Sequence, residues 1–176
     1  MKKYFVTLIV LFTLYSCKNN EAVKEEKVEE EVQKGFVIKL NATVKKDDSF
    51  QVYYRTKSQP TFEEANSLYY EFKGNDKPQD ITFILPEGVI PDFIRLDFGV
   101  NKEQEPIKVN SLTMSYFGKS FEIQGGNFFF FFLVEEKTMS YDKASATLTP
   151  IRNGDFYDPV TSSEMKLFEE IQKITK

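Results

Sequence analysis

The chain has no histidine, no tryptophan and a single cysteine among its 176 residues. Without histidine, the serine–histidine and cysteine–histidine pairs that activate a nucleophile are excluded, and so are zinc sites that use imidazole. One cysteine excludes an internal disulfide and a thiolate cluster. Only carboxylate, lysine or tyrosine chemistry is left for catalysis, and the sequence predicts no cofactor and no metal.

The charge balance is acidic, with 27 acidic and 23 basic residues and a formal net charge of −4. Binding to phosphates needs clustered lysine and arginine, so we expect no nucleic-acid partner. Aromatic residues are plentiful instead, with 18 phenylalanines and 9 tyrosines. A chain this rich in apolar rings can bury a core and is not of a disordered type.

Residues 1–16 are typical of an export signal. Lys2 and Lys3 form a positive start, and an apolar stretch runs from Tyr4 to Tyr15. As a helix this stretch would rise roughly 18 Å, well short of the ~30 Å hydrocarbon core of a bilayer. The pattern therefore predicts a cleaved signal peptide rather than a retained transmembrane helix.

The stretch Leu14-Tyr15-Ser16-Cys17 resembles the lipobox of bacterial lipoproteins, although Tyr15 is bulkier than the usual occupant. The resemblance implies that Cys17 becomes the first mature residue and carries a diacylglycerol on its sulfur and an acyl chain, such as palmitate, on its amino group. More than one chain makes anchoring stable. The partner implied is the lipid membrane, and the location is the cell envelope, most simply the outer membrane, facing the periplasm or the surface.

A charged tether follows the predicted anchor. Lys18–Lys34 contains no glycine, proline or aromatic residue and holds six acidic and four basic side chains. Such a composition cannot bury a core. We expect residues 17–34 to hold the folded domain, residues 35–176, away from the membrane.

From Gly35 the pattern changes to alternation with period two, which predicts strands. Apolar residues recur from Phe36 to Val44 and again from Phe50 to Tyr54, with a turn at Lys46-Asp47-Asp48, and the two runs predict a hairpin. At Asn110-Ser111 the phase slips by one residue, as in a β-bulge. Further alternating runs occupy 68–72, 81–85, 94–98, 107–116 and 121–123. Short strands at this spacing predict a mainly β fold, an antiparallel β-sandwich of jelly-roll-like type.

The last fifty residues give mixed signals. Phe128–Phe132 fits either a buried strand or a short helix, and Ala144–Leu148 fits a late strand. Thr161-Ser162-Ser163-Glu164 fits a capping box. Apolar residues then recur at helical spacing and predict a short C-terminal helix: Leu167, Phe168, Ile171 and Ile174.

The body also resembles a known group of domains. The run ITFILPEGVIPDFIRLDFGVNKEQEPIKVNSLTM, within Gly35–Tyr116, is similar to carbohydrate-binding-module-like β-sandwiches of exported and membrane-anchored Bacteroidota-type proteins. In those domains a strand ending in Arg-x-Asp, here Arg95 and Asp97, precedes a loop and a strand like IKVNSLTM. Where such domains often have Asp-Pro-Gly, this chain has Asp97-Phe98-Gly99. The resemblance implies a jelly-roll-like fold and an accessory role, and it identifies no ligand.

A candidate ligand-binding face follows from the outward phase of three predicted strands, which is aromatic and rich in hydrogen-bonding groups. Tyrosine offers a surface on which a sugar ring can stack, arginine a fork of donors, and acids accept from hydroxyls. The alternative interpretation is that tyrosine simply favours strands and that the charges form cross-strand pairs. The candidate residues are Tyr53, Arg55, Tyr69, Glu71, Arg95 and Asp97.

Three functions are compatible with these patterns. The first is a non-catalytic binding or accessory lipoprotein of the envelope, with a glycan or an envelope protein as its partner. The second is a structural subunit of an envelope complex without a small ligand. The third is a carboxylate-dependent glycoside hydrolase that uses two of Asp97, Glu103 and Glu105, since such enzymes need only a pair of carboxylates. The same acids could instead hold Ca²⁺, although no ordered Asp-rich loop is present.

Overall fold

The computed structural model describes residues 35–176, so the predicted signal peptide, the Cys17 anchor and the tether lie outside the described residues. The described part folds into strands, two short 3-10 helices and one α-helix. The strands are β1 (Phe36–Thr43), β2 (Asp48–Arg55), β3 (Ser67–Phe72), β4 (Gln79–Ile84), β5 (Phe93–Asp97), β6 (Ile107–Tyr116), β7 (Lys119–Gln124), β8 (Phe132–Val134), β9 (Met139–Asp142), β10 (Thr147–Pro150) and β11 (Val160–Ser163). The helix α1 is Met165–Thr175, and the 3-10 helices are Glu64–Asn66 and Gly125–Phe130.

The strands form two sheets in which every pairing is antiparallel. Sheet A has the order β4-β1-β6-β10-β9, with β7 also paired to β6, and sheet B has the order β3-β2-β5-β11-β8. The inner faces of both sheets contribute to one hydrophobic core. The predicted mainly β sandwich with a short C-terminal helix is therefore confirmed.

Strand β1 shows how the alternating pattern builds this core. Phe36, Ile38 and Leu40 are buried, whereas Lys39 on the opposite phase is exposed. Successive side chains of a strand point to opposite faces, so one apolar phase is enough to place an entire strand. The inward phases of β2 and β5 are buried in the same way, through Phe50 and Leu96 for example.

The predicted hairpin between β1 and β2 is wrong. β1 pairs with β4 and β6 in sheet A, whereas β2 pairs with β3 and β5 in sheet B. The turn after β1 therefore carries the chain from one sheet to the other. Alternation identifies the buried phase of each strand, but both sheets of a sandwich bury an inner face, so it cannot tell which sheet a strand joins.

The bulge predicted in β6 is confirmed. Asn41 of β1 pairs with Ser111, and the next residue, Ala42, pairs with Val109, so Asn110 is the extra residue. An extra residue on one strand shifts its side-chain phase by one position. This shift keeps both Val109 and Leu112 in the core.

The C-terminal region combines confirmed and wrong predictions. The run Phe128–Phe132 is divided, because the 3-10 helix ends at Phe130 and β8 begins at Phe132. The late strand is present as β10, displaced to Thr147–Pro150. Helix α1 is present and buries Leu167, Ile171 and Ile174.

The predicted capping box is wrong. Thr161–Ser163 belong to β11, and the residue before α1 is Glu164, whose side chain makes no capping hydrogen bond. The Ser163 hydroxyl instead accepts a hydrogen bond from the backbone N–H of Ile94, at 2.9 Å. Serine and threonine occur in strands as well as at helix caps, and here these residues belong to a strand of sheet B. Neither α1 nor the two 3-10 helices of residues 35–176 has the length and hydropathy of a membrane span.

Candidate binding face

All six candidate residues lie on the outer face of sheet B, on the adjacent strands β3, β2 and β5. The register places Tyr53 directly opposite Arg95, and Gln51 opposite both Tyr69 and Asp97. Side chains directly opposite each other on one face lie within contact distance. The expected juxtaposition is therefore present for Tyr53, Tyr69, Arg95 and Asp97.

The centre of this group is a residue that the strand pattern does not indicate, Glu64. Its 3-10 helix ends a loop, residues 56–66, that connects β2 to β3. The Glu64 carboxylate accepts hydrogen bonds from the hydroxyls of Tyr53 and Tyr69 and from the Gln51 amide. The Ser67 hydroxyl lies 3.4 Å from the same carboxylate. We call this set of five residues the Glu64 cluster.

The hydrogen bonds of the Glu64 cluster shift the acidities of its members. The Tyr53 and Tyr69 hydroxyls hold the pKa of Glu64 below its ordinary value. Burial and the Glu64 carboxylate raise the pKa of Tyr53 to about 12, and the same carboxylate raises the pKa of Tyr69. Hydrogen bonds that favour a charged acceptor and a neutral donor produce shifts in these directions. At neutral pH the cluster therefore holds one carboxylate and two protonated phenols.

A second contact ties β5 to the cluster. Arg95 donates to both carboxylate oxygens of Asp97, from Nε at 2.7 Å and from a terminal nitrogen. The guanidinium also lies 4.3 Å from the centroid of the Tyr53 ring, which is a cation–π distance. Burial raises the pKa of Asp97 in spite of this pairing. Arg95 and Asp97 thus pair with each other on the outer face of β5, and the Arg95 guanidinium packs against the Tyr53 ring.

Arg55 and Glu71 take no part in the cluster. The Arg55 guanidinium lies between the rings of Phe93 and Phe62, at 4.4 and 5.1 Å, and donates to the Gln59 carbonyl at 2.8 Å. It therefore holds the loop that carries Glu64. Glu71 is exposed at the edge of sheet B, opposite Ser49, and makes no side-chain hydrogen bond with a residue in the range 35–176.

The face is less open than a shallow surface formed by all six side chains would be. Tyr53 and Gln51 are only 9% and 7% exposed, because the loop with Glu64 lies over β2. Tyr53 consequently has no free ring face for stacking and acts as a support. Tyr69, in contrast, is 60% exposed, and the Glu64 side chain is also exposed. These two residues are the part of the cluster that a ligand can reach.

The acids considered for a hydrolase each have a basic partner. Asp97 pairs with Arg95, Glu103 with Arg152 at 2.8 Å, and Glu105 with Lys45 at 2.9 Å. Hydrogen bonds from Lys45 and Lys46 hold the pKa of Glu105 below its ordinary value, so it is not poised as a general acid. Among the residues that the structure describes, no group of three or more acidic side chains is arranged to hold a metal ion.

No protein-family model, no curated protein and no solved structure matches this chain. The fold stands as a two-sheet sandwich, and the function has to be inferred from the chain's own residues.

Proposed function

We propose that this protein is a lipid-anchored, non-catalytic binding lipoprotein of the cell envelope. Cys17 attaches the chain to the outer membrane, the charged tether carries the sandwich away from it, and the Glu64 cluster presents a binding face. The ligand class is a hydroxyl-bearing molecule, with a glycan as the first candidate. The observation that carries the proposal is the exposed Tyr69, whose hydroxyl donates to a carboxylate that Tyr53 and Gln51 also help to position.

The cluster is ordered before any ligand arrives, which favours binding. Tyr69 is held from its hydroxyl end, at 2.9 Å from Glu64 Oε1, so its ring loses little rotamer freedom when a sugar stacks on it. Immobilising a free side chain at an interface costs ~0.5–1.5 kcal/mol, and a ring already held does not lose that amount. Tyrosine and an adjacent polar group are a common combination where one side of a ligand is apolar and the other hydrated.

Glu64 has capacity left for a ligand. Its Oε1 accepts from Gln51 and Tyr69, whereas Oε2 accepts from Tyr53 alone, because the Ser67 hydroxyl donates to the Glu64 backbone carbonyl at 2.8 Å. A carboxylate has about four lone-pair directions over its two oxygens. The carboxylate can therefore accept one further hydrogen bond, from a ligand hydroxyl.

The anchor is tested by metabolic labelling with a palmitate analogue. Cys17→Ser removes the only thiol in the chain, so we expect labelling to disappear and the unprocessed form to accumulate. The matched control is Ser16→Ala, which keeps a small residue before the cysteine and should label as the wild type does. Equal labelling of the wild type and Cys17→Ser would refute the anchor.

The binding face is tested by calorimetry of the purified full-length protein against envelope and plant polysaccharides. We expect Tyr69→Ala to weaken binding about tenfold or more, because it removes the stacking ring. The control is Tyr141→Ala, since Tyr141 is similarly exposed, at 47%, but lies on β9 in sheet A. Unchanged affinity in Tyr69→Ala would remove this face from consideration. No binding to any glycan would favour a structural subunit of an envelope complex.

A further inference from the structure

The hairpin turn between β6 and β7 places an exposed aromatic ring at one end of sheet A. Tyr116 pairs with Lys119 across the hairpin, so Phe117 and Gly118 form a two-residue turn. Both have a positive φ, 44° for Phe117 and 82° for Gly118, as in a type I′ turn. The Phe117 side chain is 55% exposed. The turn thus presents a large apolar ring to solvent.

Phenylalanine is an unfavourable residue for this position. The first central residue of a type I′ turn is usually asparagine, aspartate or glycine, because these residues tolerate a left-handed backbone. A bulky residue with positive φ is a strained exception, and such strain is concentrated at functional sites. A single exposed apolar residue is ordinary on a protein surface. Phe117 combines apolar exposure with backbone strain, and asparagine would avoid both, which indicates that the ring has a partner.

A second exposed apolar residue lies at the same end of the sheet. Ile84, the last residue of the edge strand β4, is 50% exposed and pairs with Val37 of β1. On its other side Val37 pairs with Ser115, two residues before Phe117. Adjacent strands lie about 4.8 Å apart, so Ile84 and Phe117 flank the start of β1. We call these two residues the apolar tip.

The described domain begins beside the apolar tip. Gly35 precedes Phe36, and Phe36 pairs with Tyr116. A chain of rings leads from there to the turn, since the ring centroids of Phe36 and Tyr116 are 6.3 Å apart and those of Tyr116 and Phe117 are 4.7 Å apart. The segment that leads from the predicted anchor at Cys17 therefore joins the sandwich at the end that carries the tip.

We propose that the apolar tip docks on the bilayer in which Cys17 is anchored, with the Phe117 ring in the lipid interface. This inference rests on the proposed lipid anchor. Membrane binding by apolar side chains increases with the apolar area that they bury. Two side chains make a weak site, but a tether raises the local concentration of the domain at the membrane to about the millimolar range. Residues 18–34 span at most ~60 Å when fully extended, and they set no lower limit on the distance.

The charges around the tip are compatible with a lipid surface. Within three positions of Phe117 and Ile84 along the chain, the charged residues are Lys119 and Glu87, and both are exposed. One base and one acid leave no local excess of charge, so zwitterionic lipid is sufficient. Contact through this end keeps the outer face of sheet B, with Tyr69, clear of the bilayer. The rest of the sandwich still projects from the membrane, as the proposed function requires.

The test uses tryptophan as a reporter, since the chain has none of its own. Full-length Phe117→Trp is reconstituted into phosphatidylcholine vesicles with and without acyl-chain-brominated lipid, which quenches tryptophan at short range. We expect a blue-shifted emission and strong quenching. The matched control is Phe156→Trp, which should show neither. Phe156 is 58% exposed, but its segment is held to the loop before β6 by the pair of Arg152 and Glu103, whereas Phe117 follows β6.

A second variant tests the ring itself. Ile84→Trp places the reporter at the other residue of the tip, and adding Phe117→Asn should reduce the docked population about tenfold and the quenching with it. Phe117→Asn should at the same time raise the melting temperature, because asparagine relieves the strained turn. A loss of docking together with a gain in stability is not expected of a residue that only supports the fold.

Flotation of the vesicles separates the anchor from the docking. If the protein floats but Phe117→Trp is quenched no more than Phe156→Trp, the docking proposal is overturned and the anchor stands. Unchanged quenching of Ile84→Trp after the addition of Phe117→Asn overturns the proposal as well. If the wild type does not float with the vesicles, the anchor fails and the docking fails with it.

Discussion

The outer faces of β1 and β2 differ although their sequences show the same alternation. On β1 the outward Lys39 is exposed and Asn41 is half-exposed, as expected of a solvated sheet face. On β2 the outward Gln51 and Tyr53 are buried. The cause is the connection that follows β2, because its 3-10 helix places Glu64 over these two side chains.

The difference shows that a polar outward phase has two meanings in this sandwich. On β1 it marks a face in contact with water, and on β2 it marks the floor of a hydrogen-bonded cluster. Buried polar groups are nearly always paired, so the loop that covers β2 must supply an acceptor. Glu64 supplies this acceptor. Its carboxylate also accepts from Tyr69, the only tyrosine of sheet B in the described domain that is both exposed and held in this way.

The largest loss of unfolding free energy is expected on the inner face of sheet B. Leu96→Ala removes a side chain that is only 3% exposed between the two sheets, and truncating such a leucine costs ~2–5 kcal/mol. The free energy of unfolding from denaturant melts measures the loss. Arg95→Ala, on the outer phase of the same strand, should cost less, although it leaves Asp97 without its partner. A smaller effect of Leu96→Ala than of Arg95→Ala would contradict the register.

The second-largest loss of unfolding free energy is expected on the outer face of β2, which the loop covers. Tyr53→Phe keeps the ring and removes the hydroxyl that donates to Glu64, and the loss of a hydrogen bond to a charged acceptor costs about 1.5–3 kcal/mol. The same change in the exposed Tyr69 should cost less, because water replaces its hydroxyl. Denaturant melts of both variants decide this. Equal effects would mean that the loop does not cover β2.

The charge of Glu64 predicts a pH dependence. Its pKa is lowered from 4.5 by hydrogen bonds from the two tyrosines, so the stabilisation is complete above about pH 4.5 and is lost as the pH falls through the lowered value. Glu64→Gln keeps an acceptor oxygen but no charge, so its effect should be smaller than that of Tyr53→Phe. We expect the difference in unfolding free energy between the wild type and Glu64→Gln to be constant near neutral pH and to shrink in acid. A difference that does not change with pH would contradict this account.

The open face of β1 should show the smallest effect. Lys39 lies 3.5 Å from Asp80, and both side chains are about half exposed. Exposed ion pairs of this kind contribute ~0–1 kcal/mol and are screened by salt. Thermal melts of Lys39→Ala should therefore differ little from those of the wild type, and less still at high salt. A loss as large as that of Tyr53→Phe would remove the distinction between the two faces.

Much of the sandwich could be predicted from local pattern. The inner phase of β1, the bulge at Asn110 and the apolar stripe of α1 all depend on side-chain periodicity, which is a property of neighbouring residues in the chain. Four of the six candidate site residues are adjacent in the structure for the same reason, since alternating residues on adjacent strands share a face. The sequence does not decide between a helix and a strand for Phe128–Phe132, because five identical side chains show no periodicity.

The remaining features depend on contacts between segments far apart in the chain. Thr161–Ser163 matches a helix cap locally, yet β5 and β8 pair with these residues on either side and draw them into sheet B. Arg55 sits on the expected face, but Phe62 and Phe93 hold it against the loop. Neither neighbour can be inferred from the residues that flank Arg55.

The amino-acid sequence by itself determined which side of strands β1 to β7 faces the core, because burying apolar surface needs only the alternation of side chains. It also carries the predicted lipid anchor at Cys17, which depends on a short linear motif. The tertiary structure alone decided which sheet each strand joins and where the loop after β2 lies. It thereby placed Glu64 between two tyrosines and Phe117 beside the start of β1, since both arrangements depend on the distance between segments that only the folded chain brings together.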